Sequence, residues 1–332
     1  MRFLFCKERA QPSGFEIAIV GGGPAGLTAA GALVCMGYDV IVLEAMPEAG
    51  GMVVFGIPDN RVNKKALRLG VKELMEAGVS FFFNTKVGRD VMLEDIVERY
   101  DAVILAIGAW RSKRLNVPGE DYNWVLGAVD WLSQVHLVRL GYEPRNKLTR
   151  VSGRVLVVGA GFTALDVITV LLEYPEFRDN VETIFLSYRR SRKDAPSGAK
   201  SIDELERRGV KVLEYTVPIG FREESGRRVV ELTKTRVNES RLVELVDEKM
   251  KLEIDYVLLA VGQEPTPIST SLFLKRRADG TFWVDENMMT SADRVFACGD
   301  AVQGPSKIGP AVKSGLEVAR RADLYLRRSS SA

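Results

Sequence analysis

Residues 17–45 read IAIVGGGPAGLTAAGALVCMGYDVIVLEA, and residues 155–174 read VLVVGAGFTALDVITVLLEY. Each is an apolar run, a glycine turn and an apolar helical pattern. In each a second apolar run follows, ending at Glu44 in the first case and, through VETIFLSYRRSR (181–192), at Arg189 and Arg190 in the second. The first turn carries Gly21, Gly23 and Gly26, with Pro24 and Ala25 inside it; the second carries Gly159, Gly161 and Ala164, with Phe162 and Thr163 inside it. The first glycine of such a turn makes the tight bend, the middle one lets backbone approach a pyrophosphate, and the third lets helix pack on strand. The free amides and dipole of the helix N-terminus then attract the diphosphate. A carboxylate closing the second strand accepts from ribose hydroxyls, whereas arginines there pair with a ribose 2′-phosphate. One such pattern is a weak signal, but two in the same strand, turn, helix, strand context predict two dinucleotide sites, one FAD-like and one NADP-like. The competing reading of the arginines is a solvated basic edge.

The 332 residues are 46% apolar and 27% charged, with a net charge of +2. That length supports two domains with sizeable cores. So balanced a charge gives no general attraction to nucleic acid or to a membrane surface. No apolar run reaches the length of a membrane span, and the apolar stretch in MRFLFCKERAQPSG is too short for a signal peptide, so a cytoplasmic location is expected. Cys6, Cys35 and Cys298 form neither a CxxC pair nor a cluster-binding array; Cys35 reads as helix core, and Cys298 is of interest for its neighbours. The single histidine, His136, lies in an apolar helical pattern and reads as a packed residue. No metal site is expected.

Further along, Gly50-Gly51 and Gly56-Ile57-Pro58 mark loops where backbone can approach a ligand. YDAVILAIGAW ends a continuous apolar strand at Gly108, and IDYVLLAVGQEPT ends its counterpart at Gly262. These follow the two glycine turns at comparable distances, which implies an internal duplication of a βαβ domain. The last stretch, with a strand closing on Gly299-Asp300 and an amphipathic helix, lacks a fingerprint of its own and is expected to return to the first domain. The predicted fold is α/β, with two Rossmann-like dinucleotide-binding domains, the NAD(P)H domain inserted in the FAD domain. The expected boundaries are 1–14 for an N-terminal extension, 15–125 and 265–328 for the FAD-binding domain, and 126–264 for the NAD(P)H-binding domain with a leading linker helix.

The motifs GGGPAGL, EAGGMVVFGIPDNRV, NVPGED, VVGAGFTALDV, SYRRSR, AVGQEPTP and FACGDAVQGP, spread over nearly all of the chain from Phe15 onward, together resemble the pyridine nucleotide-disulfide reductase superfamily. Within it they are most similar to the group of the glutamate synthase small subunit. The resemblance implies a glutathione/thioredoxin reductase-like fold. It also implies that Gly21, Gly23 and Gly26 hold the FAD pyrophosphate, Glu44 the adenosine ribose, and the Val87 backbone the adenine. Gly51, Met52 and Arg61 would lie along the flavin, with Gly108 and Gly299 at the strand ends beside it. Asp300 would meet the ribityl chain or the pyrophosphate, and Ala311 and Val312 would open a helix whose positive end faces the flavin. Gly159, Gly161, Phe162 and Thr163 would hold the nicotinamide dinucleotide, with Gly262 at the strand end and Arg189 and Arg190 on the 2′-phosphate; Arg192 is a further candidate.

The sequence departs from the group's pattern in three places. Phe162 replaces an asparagine. The cysteine-rich, cluster-bearing domain of many relatives has no counterpart before Phe15. The segment after YRRSR, KDAPSGAKSIDELERRGV, opens with small and basic residues instead of acidic ones. What the resemblance implies is hydride transfer between NADPH, with NADH less favoured, and FAD, followed by electron transfer to a redox partner protein or separate large subunit. A homo-oligomer is compatible with the sequence. Such chemistry asks for no catalytic side chain; Asp166 and Glu264 are candidates for lining the nicotinamide approach, with surface or capping roles equally open. The competing functions are a free-standing NAD(P)H oxidase or ferredoxin-NAD(P) reductase, and a redox-inactive nucleotide-binding protein.

Overall fold

In the computed structural model, which describes residues 1–238 and 243–329, the apolar runs are strands and the patterns between them helices. The chain forms two units, one of Met1–Phe55, Asp59–Trp110 and Gln263–Ala332, the other of Gly56–Pro58 and Arg111–Gly262. The breaks in the chain thus fall at 110/111 and 262/263, where the sequence reading set them at 125/126 and 264/265.

The first unit holds a sheet of five parallel strands: β1 (Glu16–Val20), β2 (Asp39–Leu43), β3 (Ser80–Phe82), β4 (Ala102–Leu105) and, from the C-terminal stretch, β13 (Val295–Ala297). Their order is β13-β4-β1-β2-β3. Alternate side chains serve the two faces. Ala18 and Val20 join Val103, Leu105, Val295 and Ala297 in one core cluster, while Ile19 points at helix α1 (Pro24–Cys35). Strands apolar on both faces are what a covered parallel sheet requires. Every residue of α1 from Ala25 to Val34 is buried, so this helix is apolar all round. Its glycines admit neighbours. A Cβ at Gly31 would strike the carbonyl of Phe3, and α10 (Ile308–Ser329) brings Gly315 so close that a Cβ there would strike the carbonyl of Ala25.

The N-terminal segment is fastened to this unit. Phe3 is only 1% exposed and lies where Gly31 of α1 and Gly70 of α3 (Lys64–Glu76) leave room for it. Arg9 donates to the carbonyls of Val34, Tyr38 and Ala77 at 3.2, 3.1 and 3.3 Å, at and just beyond the ends of α1 and α3. Between them Cys6 and Cys35 form a disulfide. This corrects the reading of Cys35 as plain helix core: two cysteines 29 residues apart carry no pairing signal until the segment folds back over the end of α1.

The second unit repeats the pattern. Strands β5 (Val125–Gly127), β6 (Gly153–Val158), β7 (Val181–Tyr188), β8 (Lys211–Glu214) and β12 (Tyr256–Leu259) form a parallel sheet in the order β5-β12-β6-β7-β8. The run β12-β6-β7-β8 corresponds strand for strand to β4-β1-β2-β3, as the duplication predicts. Val155, Val157, Ile184, Leu186 and Leu258 pack on α5 (Ala128–Arg139) and α6 (Phe162–Glu173). On the opposite face Leu156, Val158, Phe185 and Leu259 pack on Trp124, Phe221, Val230 and Leu232. The last three belong to an antiparallel sheet of β9 (Thr216–Glu224), β10 (Arg227–Val237) and β11 (Val243–Glu253). Among the described residues, no helix is long and apolar enough to cross a membrane.

Closing a loop of this length by a cross-link is worth about 3–4 kcal/mol on the chain-entropy model. Cys6→Ser is therefore expected to lower the unfolding free energy by about 3 kcal/mol in a urea titration. Alkylation of the unfolded, unreduced chain should label Cys298 alone, and all three cysteines only after reduction; three labelled thiols without reductant would contradict the pairing.

Candidate dinucleotide sites

The glycines of each turn separate into two kinds when a Cβ is imagined on them. Gly21 has φ +107° and its Cβ would lie 2.5 Å from the carbonyl oxygen of Ala106; Gly159 has φ +113° and its Cβ would strike the carbonyl of Ala260. These residues are glycine because the turn crosses directly over the neighbouring strand's end. A Cβ at Gly26 would strike the carbonyl of Gly21, which is the close helix–strand contact assigned to the third glycine. The middle glycines differ. Gly23 (φ −77°) and Gly161 (φ −85°) have backbone angles open to any residue. A Cβ at Gly23 would meet only the Cα of Gly51 at 3.9 Å, and at Gly161 nothing within 4 Å. No contact within the protein requires glycine at either place. Both are N-caps that forgo the capping side chain such a position usually carries, so each turn holds a side-chain-free cradle at a helix N-terminus, the shape a diphosphate needs.

Around the first cradle, five segments of the first unit meet. Glu44, 5% exposed, accepts from the backbone N–H of Gly22 at 2.6 Å and of Met46 at 2.8 Å. Burial raises its pKa, and those backbone donors pull the other way. Each carboxylate oxygen keeps a lone pair for a further donor such as a ribose hydroxyl. The Gly50 N–H donates to Gly22 O at 2.8 Å, and a Cβ on Gly51 would lie 2.9 Å from the Cα of Gly23, so Gly51 and Met52 are held over the turn. From the C-terminal stretch, a Cβ at Gly299 would lie 2.9 Å from that of Ala25, and Gly299 N donates to Ser314 Oγ at 2.9 Å. Asp300 therefore sits at the first turn of α1; burial raises its pKa, and Ser306 Oγ donates to it at 2.6 Å. Ala311 and Val312 are the fourth and fifth residues of α10. Val87 is buried in the same core cluster as Leu43, close in sequence to Thr85, whose N–H bonds Glu44 O at 2.9 Å. Gly108 (φ +68°) follows β4, and Arg61 is exposed. Cys298 is fully buried with its thiol pushed up to about 12, which keeps it protonated and unreactive.

In the second unit, Phe162 is 36% exposed at the first position of α6, with Thr163 beside it and Asp166 buried one turn further in. Gly262 (φ +123°) accepts from Lys113 N at 3.0 Å. At the end of β7, Arg189 is exposed, while Arg190 is half-buried with its Nε sequestered from solvent and bonded to nothing among the described residues. A buried guanidinium N–H without an acceptor is costly, and an anion relieves it. Arg192 stands apart: its Nε donates to Glu214 at 2.6 Å, its Nη1 to Asp203 at 2.8 Å and Glu206 at 2.7 Å, and its Nη2 to Glu206 at 3.4 Å. Glu264 belongs to the first unit.

Three residues at these sites were invisible in the sequence: Ser197, whose Oγ bonds the carbonyl of Ala160 inside the second turn at 2.8 Å, and Ser314 and Gly315, which carry α10 onto α1. Their partners lie far away along the chain, so no local pattern marks them.

Residues 15–315 match the model of the family described as pyridine nucleotide-disulphide oxidoreductase. The glutamate synthase [NADPH] small chain of Azospirillum brasilense is 30% identical over 96% of this chain and 68% of its own length. The NADP(+)-dependent formate dehydrogenase subunit beta of Moorella thermoacetica is 32% identical over 97% of this chain, which spans only 45% of that relative. Among solved structures, Mycobacterium tuberculosis FprA in complex with NADPH superposes with a TM-score of 0.85 at 21% identity, covering 97% of this chain and 86% of that one, a likeness of fold.

Gly23→Ala and Gly161→Ala are expected to leave the stability of the ligand-free protein within about 0.5 kcal/mol, while weakening flavin and pyridine-nucleotide binding respectively by about tenfold or more. Gly21→Ala and Gly159→Ala should instead destabilise the fold by about 2–4 kcal/mol. Thermal melts alongside ligand titrations check both; a loss of stability at Gly161 would remove the argument for a cradle.

Proposed function

The chain belongs to the pyridine nucleotide-disulphide oxidoreductase family, and from that premise we propose that it is an FAD-dependent oxidoreductase that draws reducing equivalents from NADPH and passes them to a partner protein. The observation that carries this reading is the pairing of two glycine cradles with opposite chemistry at the ends of their second strands: Glu44 in the first unit, and in the second Arg190, whose buried Nε has no partner among the described residues. We assign FAD to the first unit and NADPH to the second.

The bound pair supplies the chemistry, hydride transfer between nicotinamide and flavin. The protein's part is placement. Gly21 and Gly26 close the first turn so that the α1 amides face the diphosphate, and Glu44 orients the ribose while tying that turn to β2. The positive end of the α10 dipole favours negative charge on a reduced ring. Gly159 and Gly161 do the same for the second dinucleotide, and Arg189 with Arg190 selects the 2′-phosphate. Phe162 offers an apolar ring where the resembled family often has an asparagine, so the diphosphate there relies on backbone donors.

The acceptor is the finer question. The helix of the second fingerprint contains no cysteine, so a dithiol relay at that place is not available to this chain. Two relatives that match over nearly all of this chain, the glutamate synthase small chain and the formate dehydrogenase subunit beta, are subunits by name, which favours delivery to a separate subunit.

Anaerobic titration of the purified protein is expected to bleach the flavin absorbance near one equivalent of NADPH and to respond weakly to NADH. Arg189→Ala with Arg190→Ala should reduce the preference for NADPH by about 10²-fold or more, since each charged hydrogen bond is worth about 1.5–3 kcal/mol. Retained selectivity in the double variant would overturn the assignment of these arginines. Rapid turnover with oxygen or ferredoxin in the absence of any partner subunit would replace the subunit reading with a free-standing oxidase or ferredoxin reductase.

A further inference from the structure

We propose that Arg192 is a positioning residue for 2′-phosphate recognition, holding the segment 188–198 in the shape that presents Arg189 and Arg190, and is not itself a phosphate ligand; this rests on the NADPH reading of the second unit. Its side chain is gathered by three carboxylates from two elements, Glu214 on β8 and Asp203 and Glu206 on α8 (Ala199–Arg207). Glu214 holds the residue twice, taking the Arg192 backbone N–H at 2.7 Å on one oxygen and Nε at 2.6 Å on the other. The hydrogen bond from Arg192 in turn lowers the pKa of Glu206. With all three acids ionised, the cluster around one guanidinium carries a surplus of two negative charges. A phosphate is repelled from such a centre, and every nitrogen of the arginine is already engaged.

The same segment is pinned at further points. Ser197 bonds Ala160 O through both N–H and Oγ, at 3.3 and 2.8 Å, which ties the segment's far end to the Gly159–Gly161 turn. Thr235 Oγ1 donates to Arg189 O at 2.8 Å, and Tyr215 N–H donates to Arg190 O at 3.4 Å. Tyr188 OH donates to Asp194 O at 2.9 Å. The carbonyls of the two arginines are thus anchored, and the Arg190 side chain is left with a buried N–H that lacks an acceptor among the described residues. Arg192, two residues on, is the fixed point between the ribose-phosphate end and the diphosphate end of the site.

Direct contact and positioning make opposite predictions for the acids. If Arg192 bound the phosphate, Glu214→Gln would remove a repelling charge and release the guanidinium, and the 2′-phosphate would bind more tightly. If Arg192 positions, Glu214→Gln loosens the segment, and the 2′-phosphate binds more weakly although negative charge has been removed. The experiment is calorimetric titration of 2′,5′-ADP and of 5′-AMP into the flavin-loaded protein, for the parent chain, Glu214→Gln, Glu206→Gln, Arg192→Gln and the Arg189→Ala, Arg190→Ala double variant. The expected result is about tenfold weaker 2′,5′-ADP binding in Glu214→Gln and Arg192→Gln with 5′-AMP unchanged. Their KM for NADPH should rise while kcat at saturation holds. The exposed Glu206→Gln should show the same sign more weakly and serves if Glu214→Gln does not fold. Tighter or unchanged 2′,5′-ADP binding in the acid variants overturns the proposal alone. An unchanged double arginine variant overturns the NADPH reading beneath it, and the proposal with it.

Discussion

The whole arrangement depends on backbone meeting backbone without a side chain between. Gly21 crosses the end of β4 over Ala106 O, Gly26 rests on Gly21 O, and Gly159 repeats the crossing over Ala260 O. Once those contacts are made, strand, turn and helix can take only one relative placement, and the helix N-terminus is left pointing at the cradle. α1 is buried almost all round, so it cannot shift to relieve a misfit. Gly31 and Gly315 extend the principle, admitting the N-terminal segment and α10 against the same helix. Interior helix glycines cost about 1 kcal/mol each relative to alanine, a penalty offset here by the close packing they permit.

The two units use one architecture for two recognition problems, and the difference lies in a few atoms at the end of the second strand. Glu44 is itself structural, since it bonds the Gly22 and Met46 amides, so under the proposed FAD assignment one carboxylate would serve both ribose recognition and turn geometry. In the second unit the two duties are divided. Glu214 and its neighbours secure the segment through Arg192, and the buried Arg190 Nε has no partner among the described residues. A basic run of three arginines therefore contains residues of unlike kinds, distinguished by which carboxylates reach them.

Much of this was legible in the chain. The duplicated strand, turn and helix pattern, the acid and the arginines closing the second strands, and the return of the C-terminal stretch to the first sheet all follow from local patterns whose physics is local: apolar periodicity, glycine spacing and charge at strand ends. The disulfide was not legible, because Cys6 and Cys35 meet only when the N-terminal segment doubles back. Nor was the commitment of Arg192, whose acids come from a helix and a strand that follow it, nor the inertness of Cys298, which stems from burial beneath surrounding elements.

By itself, then, the sequence determined the fold class, the two glycine turns and the charges that close their second strands, because these features act within a few residues of one another. Only the tertiary structure decided which glycines are empty space and which are contact points, which arginine keeps an unsatisfied donor, and which cysteines pair. Those properties belong to distances between segments far apart along the chain, and such distances exist only once the two sheets have closed around their helices.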